Sequence, residues 1–427
     1  VATDSRRIAL QVLLDVDGRG PTLADRLAQP DAEALAPRDR ALLHELVLGT
    51  LRRRGAIDAA LEPLVSGGLD PLDPPVRAAL RLGAHQVLHL RVPDRAAVSE
   101  SVDAVRAHAP RATGLVNAVL RRLAREGAPP EPDPARDPLA WLTRAGSLPS
   151  WLAERWLARL GAERAIARAR AFLEEPPAAF RFNVRLPDGE ARAREAGLDP
   201  EPMSVPGAWR ARAGRPSDLA AEGVLHLQDQ GSQLVAHLAA GPGRVLDACA
   251  APGGKATLIA DALGPDVLVV AGERSLPRLR TLAGLVARWG APNVRTVGAD
   301  ALRPPFGEPF DTVLLDAPCS GLGTIGRHPD IRWRCGPGEP ERQARRQRML
   351  IQSLARLVKP GGRLVYATCS SEPEENEEVV EWFLAAHPDF GTAKLPGWVS
   401  PFADGPFVRT RPEDHGGDAF FGAALTR

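Results

Sequence analysis

The stretches Phe310-Asp-Thr-Val-Leu-Leu-Asp-Ala-Pro-Cys319 and Gly362-Arg-Leu-Val-Tyr-Ala-Thr-Cys369 decide the fold of this 427-residue chain. Each is a short aliphatic or β-branched run bounded by Gly, Pro or Ser, as buried parallel strands are. In an open α/β sheet, ligands bind where strands pass into loops at their carboxyl ends. Two cysteines at two such ends are therefore expected to face one pocket.

Outward from this pair, strands and helices alternate. Residues 245–250, 267–273, 294–300, 310–318 and 363–369 read as strands, with helices from Ala256, around Leu276–Trp289 and up to Leu357. That rhythm means βαβ units and a parallel sheet with helices on both faces. From about Ser5 to Arg125 the patterning is helical only. Arg40-Ala-Leu-Leu-His-Glu-Leu-Val-Leu-Gly-Thr-Leu51 repeats apolar residues at three- and four-residue steps, as do residues 76–90 and 96–107. Gly114-Leu-Val-Asn-Ala-Val-Leu-Arg-Arg-Leu123 closes the set, and prolines fall between the helices as breakers. Ala128-Pro-Pro-Glu-Pro-Asp-Pro134 reads as a stiff, extended linker. A helix up to Leu173, a strand after Pro176-Pro177 and a further run from Leu225 make a small α+β segment. The expected division is a helical domain over 1–127, a Pro-rich linker over 128–148, an α+β extension over 149–240 and a Rossmann-like domain over 241–427.

Composition sets bounds on function. Apolar content of 44% and charged content of 25% suit a globular protein. No long apolar run or signal-like start stands in the sequence, so a cytoplasmic protein away from membranes is expected. The four cysteines, 249, 319, 335 and 369, contain no Cys-x-x-Cys, which argues against a disulfide framework or a metal site. With a net charge of +1, any surface for nucleic acid must be local. Arg52-Arg53-Arg54 and Arg121-Arg122 with Arg125 read as solvated helix ends in preference to a phosphate patch. Arg327-His-Pro-Asp-Ile-Arg-Trp-Arg334 and the arginines from Arg342 to Arg348 combine cations with an aromatic, as an RNA-facing edge does, although the second stretch reads equally as an exposed basic helix.

Leu246-Asp-Ala-Cys-Ala-Ala-Pro-Gly-Gly-Lys-Ala-Thr257 puts a Gly-bearing loop between the first strand and its helix. There the backbone can approach a ligand, and the helix start offers free N–H groups. The loop is neither Gly-x-Gly-x-x-Gly nor a phosphate-cradling Gly-Lys-Ser/Thr loop. Glu273 ends the second strand, where a carboxylate accepts from both ribose hydroxyls of a nucleoside cofactor. Asp300 ends the third, suitably placed for an adenine amino group. Each alone reads equally as a helix cap. Their succession at strand ends favours the cofactor. Cys335, with no motif around it, reads as a buried inert thiol, and Cys249 does so in part.

These motifs carry a resemblance. From about Pro149 onward the chain resembles the RNA cytosine-5 methyltransferases that use S-adenosyl-L-methionine. Asp247-Ala-Cys-Ala-Ala-Pro-Gly-Gly-Lys255, Asp316-Ala-Pro-Cys-Ser-Gly-Leu-Gly-Thr324 and Tyr366-Ala-Thr-Cys-Ser370 with Pro373-Glu-Glu-Asn376 are its specific signatures. The preceding helices resemble NusB, and NusB fused to such an enzyme is the arrangement of the RsmB (Fmu/Sun) family. The resemblance implies an all-α NusB-like domain, a small α+β segment and an α/β Rossmann-like methyltransferase domain. It implies methylation of carbon 5 of a cytosine in 16S small-subunit ribosomal RNA through a covalent Cys–cytosine adduct, on naked RNA or a partly assembled subunit. Carried over by residue, Cys249, Ala250, Ala251, Pro252, Gly253, Gly254 and Lys255 would wrap the methionine part of the cofactor. Glu273 would hold the ribose, Asp300 the adenine, and Asp316 would lie between cofactor and cytosine. Cys369 would be the nucleophile and Cys319 the residue needed for product release. Gly326 and Ala419 depart from the family pattern, where Arg and Gly are usual. Two rivals are a DNA cytosine-5 methyltransferase attacking through the Pro-Cys thiol, and a non-catalytic RNA-binding factor. Thr368-Cys369 speaks against the first, and the intact cofactor loop against the second.

Overall fold

The computed structural model describes residues 4–17 and 20–427. The chain divides into two compact units, Val1–Glu175 with Ile325–Pro337, and Pro176–Thr324 with Gly338–Arg427.

The second unit is built on a nine-stranded mixed sheet. Its strands are β1 (Val245–Asp247), β2 (Val269–Glu273), β3 (Val294–Gly298), β4 (Phe310–Asp316), β5 (Val358–Thr368), β6 (Gly391–Thr392), β7 (Ala403–Asp404), β8 (Phe407–Arg409) and β9 (Phe421–Thr426). The order is β7-β8-β9-β5-β4-β1-β2-β3, with β6 also on β9. The five strands read from sequence are the parallel ones. The sheet is not parallel throughout, however, because β9 runs antiparallel to β5 and carries β6 and β8. Phe421 to Leu425 are buried like the parallel strands, and so carry no alternation from which direction could be read. A separate four-stranded antiparallel sheet pairs Ala179–Phe182 with Trp209–Ala211 and Leu225–Leu227. Its buried Arg181 donates to Asp261 at 2.7 Å and to Thr257 at 2.6 Å, and lies 4.2 Å over the Trp289 ring. That contact holds the helix Gly254–Leu263, which begins at the Gly-Gly loop.

The first unit is helical. Helices Asp4–Asp17, Pro37–Arg52, Arg54–Leu61, Pro74–His89, Asp94–Arg106 and Thr113–Glu126 turn their apolar stripes inward. Leu10, Leu43, Leu46, Leu80, Leu82 and Leu120 are fully buried there. The 128–148 stretch is not linker throughout, because Pro138–Thr143 is a helix with Trp141 and Leu142 buried. The helical stretch Ser150–Leu173, broken at Gly161, also clusters with this unit. Trp156 and Phe172 on it pack with ring centroids 6.0 Å apart. An apolar stripe shows that a helix is packed but not against what. The unit boundary therefore falls at Glu175, before the double proline, and not at the residue 149 expected from sequence.

The segment Ile325–Pro337 corrects the reading of an RNA-facing edge. Arg332 is wholly buried, and its guanidinium donates to the carbonyls of Arg52, Ser147, Phe172 and Ile325 at 3.1–3.2 Å. Burial, and then the charge of Arg52, draws its pKa down to about 9. Trp333 Nε1 donates to the Leu51 carbonyl at 2.7 Å, and Arg334 to the carbonyl of Gly20 at 2.9 Å. These side chains are spent inside the unit. Nor are all the N-terminal arginines solvated. Arg54 pairs with Asp17 at 2.6 Å, and Arg52 donates to the Gly326 carbonyl at 2.9 Å. Arg121, Arg122 and Arg125 are the exposed set.

Replacing Arg332 by Met removes the donor to four buried carbonyls. Each buried acceptor stranded this way costs about 1–3 kcal/mol, partly relieved by no longer burying a charge. Arg332→Met is expected to destabilise by about 3 kcal/mol, read as a lower urea midpoint. An unchanged midpoint would show that the carbonyls find other donors.

Candidate active site

The site begins with strand register. In the β4–β5 pair, Leu315 lies opposite Tyr366 and Asp316 opposite Ala367, so both strands end at one level. The following loops carry Cys319 and Cys369, whose sulfurs stand 3.2 Å apart although 50 positions separate them. Gly323 allows the close approach of these loops. Its N–H donates to the Cys369 carbonyl at 3.0 Å, and an added Cβ would fall 2.7 Å from that oxygen. The Ala419 N–H donates in turn to the Gly323 carbonyl at 2.8 Å.

Both cysteines line a cavity of about 310 Å³ at the carboxyl ends of the strands. Cys249, Ala251, Glu273, Asp300 and Asp316 line it too. Ala250, Pro252, Gly253, Gly254 and Lys255 are not in its wall. Gly253 has φ +116°, a region costly for side chains, and lets the chain turn into the helix that starts at Gly254. Lys255 reaches back, and its ammonium donates to Asp316 at 2.7 Å. Cys335 lies in Ile325–Pro337, in the other unit.

The electrostatics are set by burial. Burial pulls Lys255 down, but Asp316, then Asp247 and Cys369, outweigh it, so its pKa is raised and it stays a cation. The Cys319 thiol is pushed up, first by its hydrogen bond with Cys369 and then by burial. Cys319 therefore keeps its proton and can offer it to the Cys369 sulfur. Burial, and then Asp247, raises Cys249 to about 12, an unreactive thiol. Glu273 accepts from the Ser275 N–H at 2.8 Å, with Arg278 at 3.4 Å from its other oxygen, and Asp300 accepts from the Leu302 N–H at 3.0 Å.

Three residues not assigned to this site from sequence belong here. Arg278 and Arg346 line the cavity, yet nothing in their helical surroundings separates them from solvated arginines. Asp247 opens the Asp-Ala-Cys motif, and this was the available signal. It is fully buried, with neither carboxylate oxygen hydrogen-bonded. Burial, then the charge of Asp316, raises its pKa to about 7. The Gly-bearing loop after the first strand suits close approach by a ligand. Carboxylates at two further strand ends suit a ribose and an adenine amino group. This donor set fits S-adenosylmethionine.

Comparison with known proteins agrees. The profile of the family described as 16S rRNA methyltransferase RsmB/F matches residues 237–426, and that of the NusB family residues 3–125. A probable ribosomal RNA small subunit methyltransferase B of Bacillus subtilis is 33% identical, over 98% of each chain. The chain belongs to the RsmB/F family. Another RsmB relative, the ribosomal RNA small subunit methyltransferase B of Thermus thermophilus, is 37% identical over 99% of this chain and 97% of that one. A solved methyltransferase homolog protein from Pyrococcus horikoshii is 28% identical, covers 68% of this chain and 99% of its own, and has a TM-score of 0.57. As an RsmB/F protein the chain is an S-adenosylmethionine-dependent methyltransferase of small-subunit ribosomal RNA. Among the described residues no helix is long and apolar enough to cross a membrane.

For this RsmB/F site, Asp247 makes stability depend on pH. Its folded pKa of about 7 lies above its ordinary value of 3.8, so folding binds a proton between the two. The stabilisation is present below pH 3.8 and lost as pH rises through about 7. The slope there approaches about 1.4 kcal/mol per pH unit. In Asp247→Asn this component should vanish from urea midpoints of the ligand-free protein between pH 5 and 8. Identical slopes in the two proteins would contradict it.

Proposed function

We propose that this protein methylates carbon 5 of a cytosine in 16S ribosomal RNA through a transient bond between the Cys369 sulfur and carbon 6. The observation that carries this reading is the pair of sulfurs 3.2 Å apart beside Asp316 and the Lys255 ammonium. Carbon 5 of cytosine is too electron-poor to attack a methyl group unaided. Attack by the Cys369 thiolate on carbon 6 makes the ring an enamine whose carbon 5 is nucleophilic. The negative charge created moves toward ring nitrogen 3, beside Asp316, and the Lys255 ammonium hydrogen-bonded to Asp316 offsets it. S-adenosylmethionine, held by the Cys249–Lys255 loop, Glu273 and Asp300, supplies an electrophilic methyl group.

The adduct must then lose its carbon-5 proton. That electron pair restores the ring double bond, and the carbon–sulfur bond breaks to return the Cys369 thiolate. Cys319 is assigned to this step. Its largest restraint on ionisation is the hydrogen bond to Cys369, and that bond is weakened once Cys369 is bonded to carbon. Freed of that bond, Cys319 can lose its proton to solvent, and its thiolate then takes the carbon-5 proton. The cytosine must be single-stranded or flipped, because carbon 6 is shielded in a stack. The exposed Arg121, Arg122 and Arg125 support a role for the helical unit in holding RNA phosphates.

Two experiments test the reading. Asp300→Ala should weaken S-adenosylmethionine binding by about tenfold, the loss of one buried hydrogen bond. Unchanged calorimetric affinity in a folded variant would remove Asp300 from the cofactor site. The second separates the thiols. Cys369→Ala should abolish methylation and form no adduct. Cys319→Ala should trap the enzyme on RNA as a complex that survives denaturing electrophoresis and requires the methyl donor. A trapped complex from Cys369→Ala, and none from Cys319→Ala, would reverse the roles.

A further inference from the structure

Behind the two cysteines lies a carboxylate that the proposed chemistry does not use. Glu375 accepts from the Ser320 N–H at 2.8 Å and from Gln347 Nε2 at 3.1 Å through one oxygen. Its other oxygen accepts from the Ser320 and Ser370 hydroxyls, each at 2.5 Å. Ser320 directly follows Cys319, and Ser370 directly follows Cys369. One carboxylate therefore joins the residues next to both sulfurs. Glu375 is itself fastened, since Tyr366 on β5 donates its hydroxyl to the Glu375 carbonyl at 2.5 Å. The neighbouring Asn376 accepts from the Thr368 hydroxyl at 2.5 Å and donates to the Ser370 carbonyl at 3.0 Å. Glu375 does not line the cavity.

We propose that Glu375 is a positioning residue: through Ser320 and Ser370 it fastens the Cys319 loop to the Cys369 loop and so fixes the separation of the two sulfurs. Loops beyond strand ends are otherwise free to spread. Register aligns where the strands stop but does not govern the residues that follow. Two thiols acting in sequence on one ring need a fixed spacing, and a misplacement near 1 Å costs about a hundredfold in rate. A carboxylate suits the task because it only accepts, so both serine hydroxyls must point at it. Gln347 Nε2 also donates to the Pro318 carbonyl at 3.0 Å, which draws the residue before Cys319 into the same clamp. The assignment rests on the two-thiol reading of the site.

The test measures single-turnover methylation by the full-length protein, at saturating 16S RNA and S-adenosylmethionine, together with cofactor affinity by calorimetry. Glu375→Ala breaks both links. Ser320→Ala with Ser370→Ala removes both hydroxyl links, including the only one from the Glu375 side chain to Ser370 among the described residues, but leaves Glu375 the Ser320 N–H and Gln347, which guards against a folding failure. Glu375→Gln can keep the links, because an amide donates to hydroxyls that then accept. The expected result is a loss of at least about tenfold for the first two variants and retention of most of the rate by Glu375→Gln. Cofactor affinity should stay within about twofold of the parent in all three, as expected of a residue outside the cavity. A wild-type rate in the double serine variant would overturn the proposal. So would a Glu375→Gln rate as low as that of Glu375→Ala, which would mean that the charge acts and not the link. Loss of cofactor affinity in step with rate would also overturn it, since that is general loosening. Methylation surviving in a parallel Cys369→Ala control would instead count against the two-thiol reading, and the two failures stay distinct.

Discussion

The parallel register of β4 against β5 is the constraint from which the active site follows. Paired strands of opposite direction would carry Cys319 and Cys369 to opposite edges of the sheet. Parallel pairing ends both at one edge, with Asp316 level with Ala367. A slip of one residue would turn every side chain of a strand to its other face. It would also take Asp316 away from Lys255, whose position is set independently by the helix after β1. Val313, Leu314, Leu364 and Val365 are buried on both strands, so a shifted pairing would disrupt the core on both faces of the sheet.

Charge beside the cavity is arranged around the buried Lys255 ammonium. Lys255 faces Asp316, Asp247 and Cys369, and their combined field more than offsets its desolvation. A cation lies near one thiol and a carboxylate near the other, so two chemically identical side chains sit in different fields. Cys369 meets the ammonium, whereas Cys319 meets Glu375 and the Cys369 sulfur, both of which hold its proton on. Sequence position cannot convey this. The difference arises from what the fold brings alongside each sulfur.

What could be read beforehand was local in origin. The parallel strands, the helix Leu276–Trp289 and the meeting of Cys319 with Cys369 each follow from a short run and its boundary. What was missed depends on partners distant in the chain. Arg332, Trp333 and Arg334 have the composition of an RNA-binding edge, yet their acceptors are carbonyls hundreds of positions away. The helical stretch Ser150–Leu173 has a readable apolar face but no mark of which unit it joins. Asp247 and Glu375 both stood within quoted motifs. Their significance lies in burial, and in the absence of a partner for the one and the abundance of partners for the other, none of which a motif records.

Every acceptor of the Arg332 guanidinium is a main-chain carbonyl, contributed by residues 52, 147, 172 and 325. A main-chain carbonyl is present whatever side chain its residue bears. The lock therefore places its whole demand on one codon and almost none on the identities of the four positions that receive it. As far as this lock is concerned those positions can change, whereas the arginine cannot. An ion pair would have tied two sites to compensating change, whereas this arrangement leaves an evolving chain only one letter to keep.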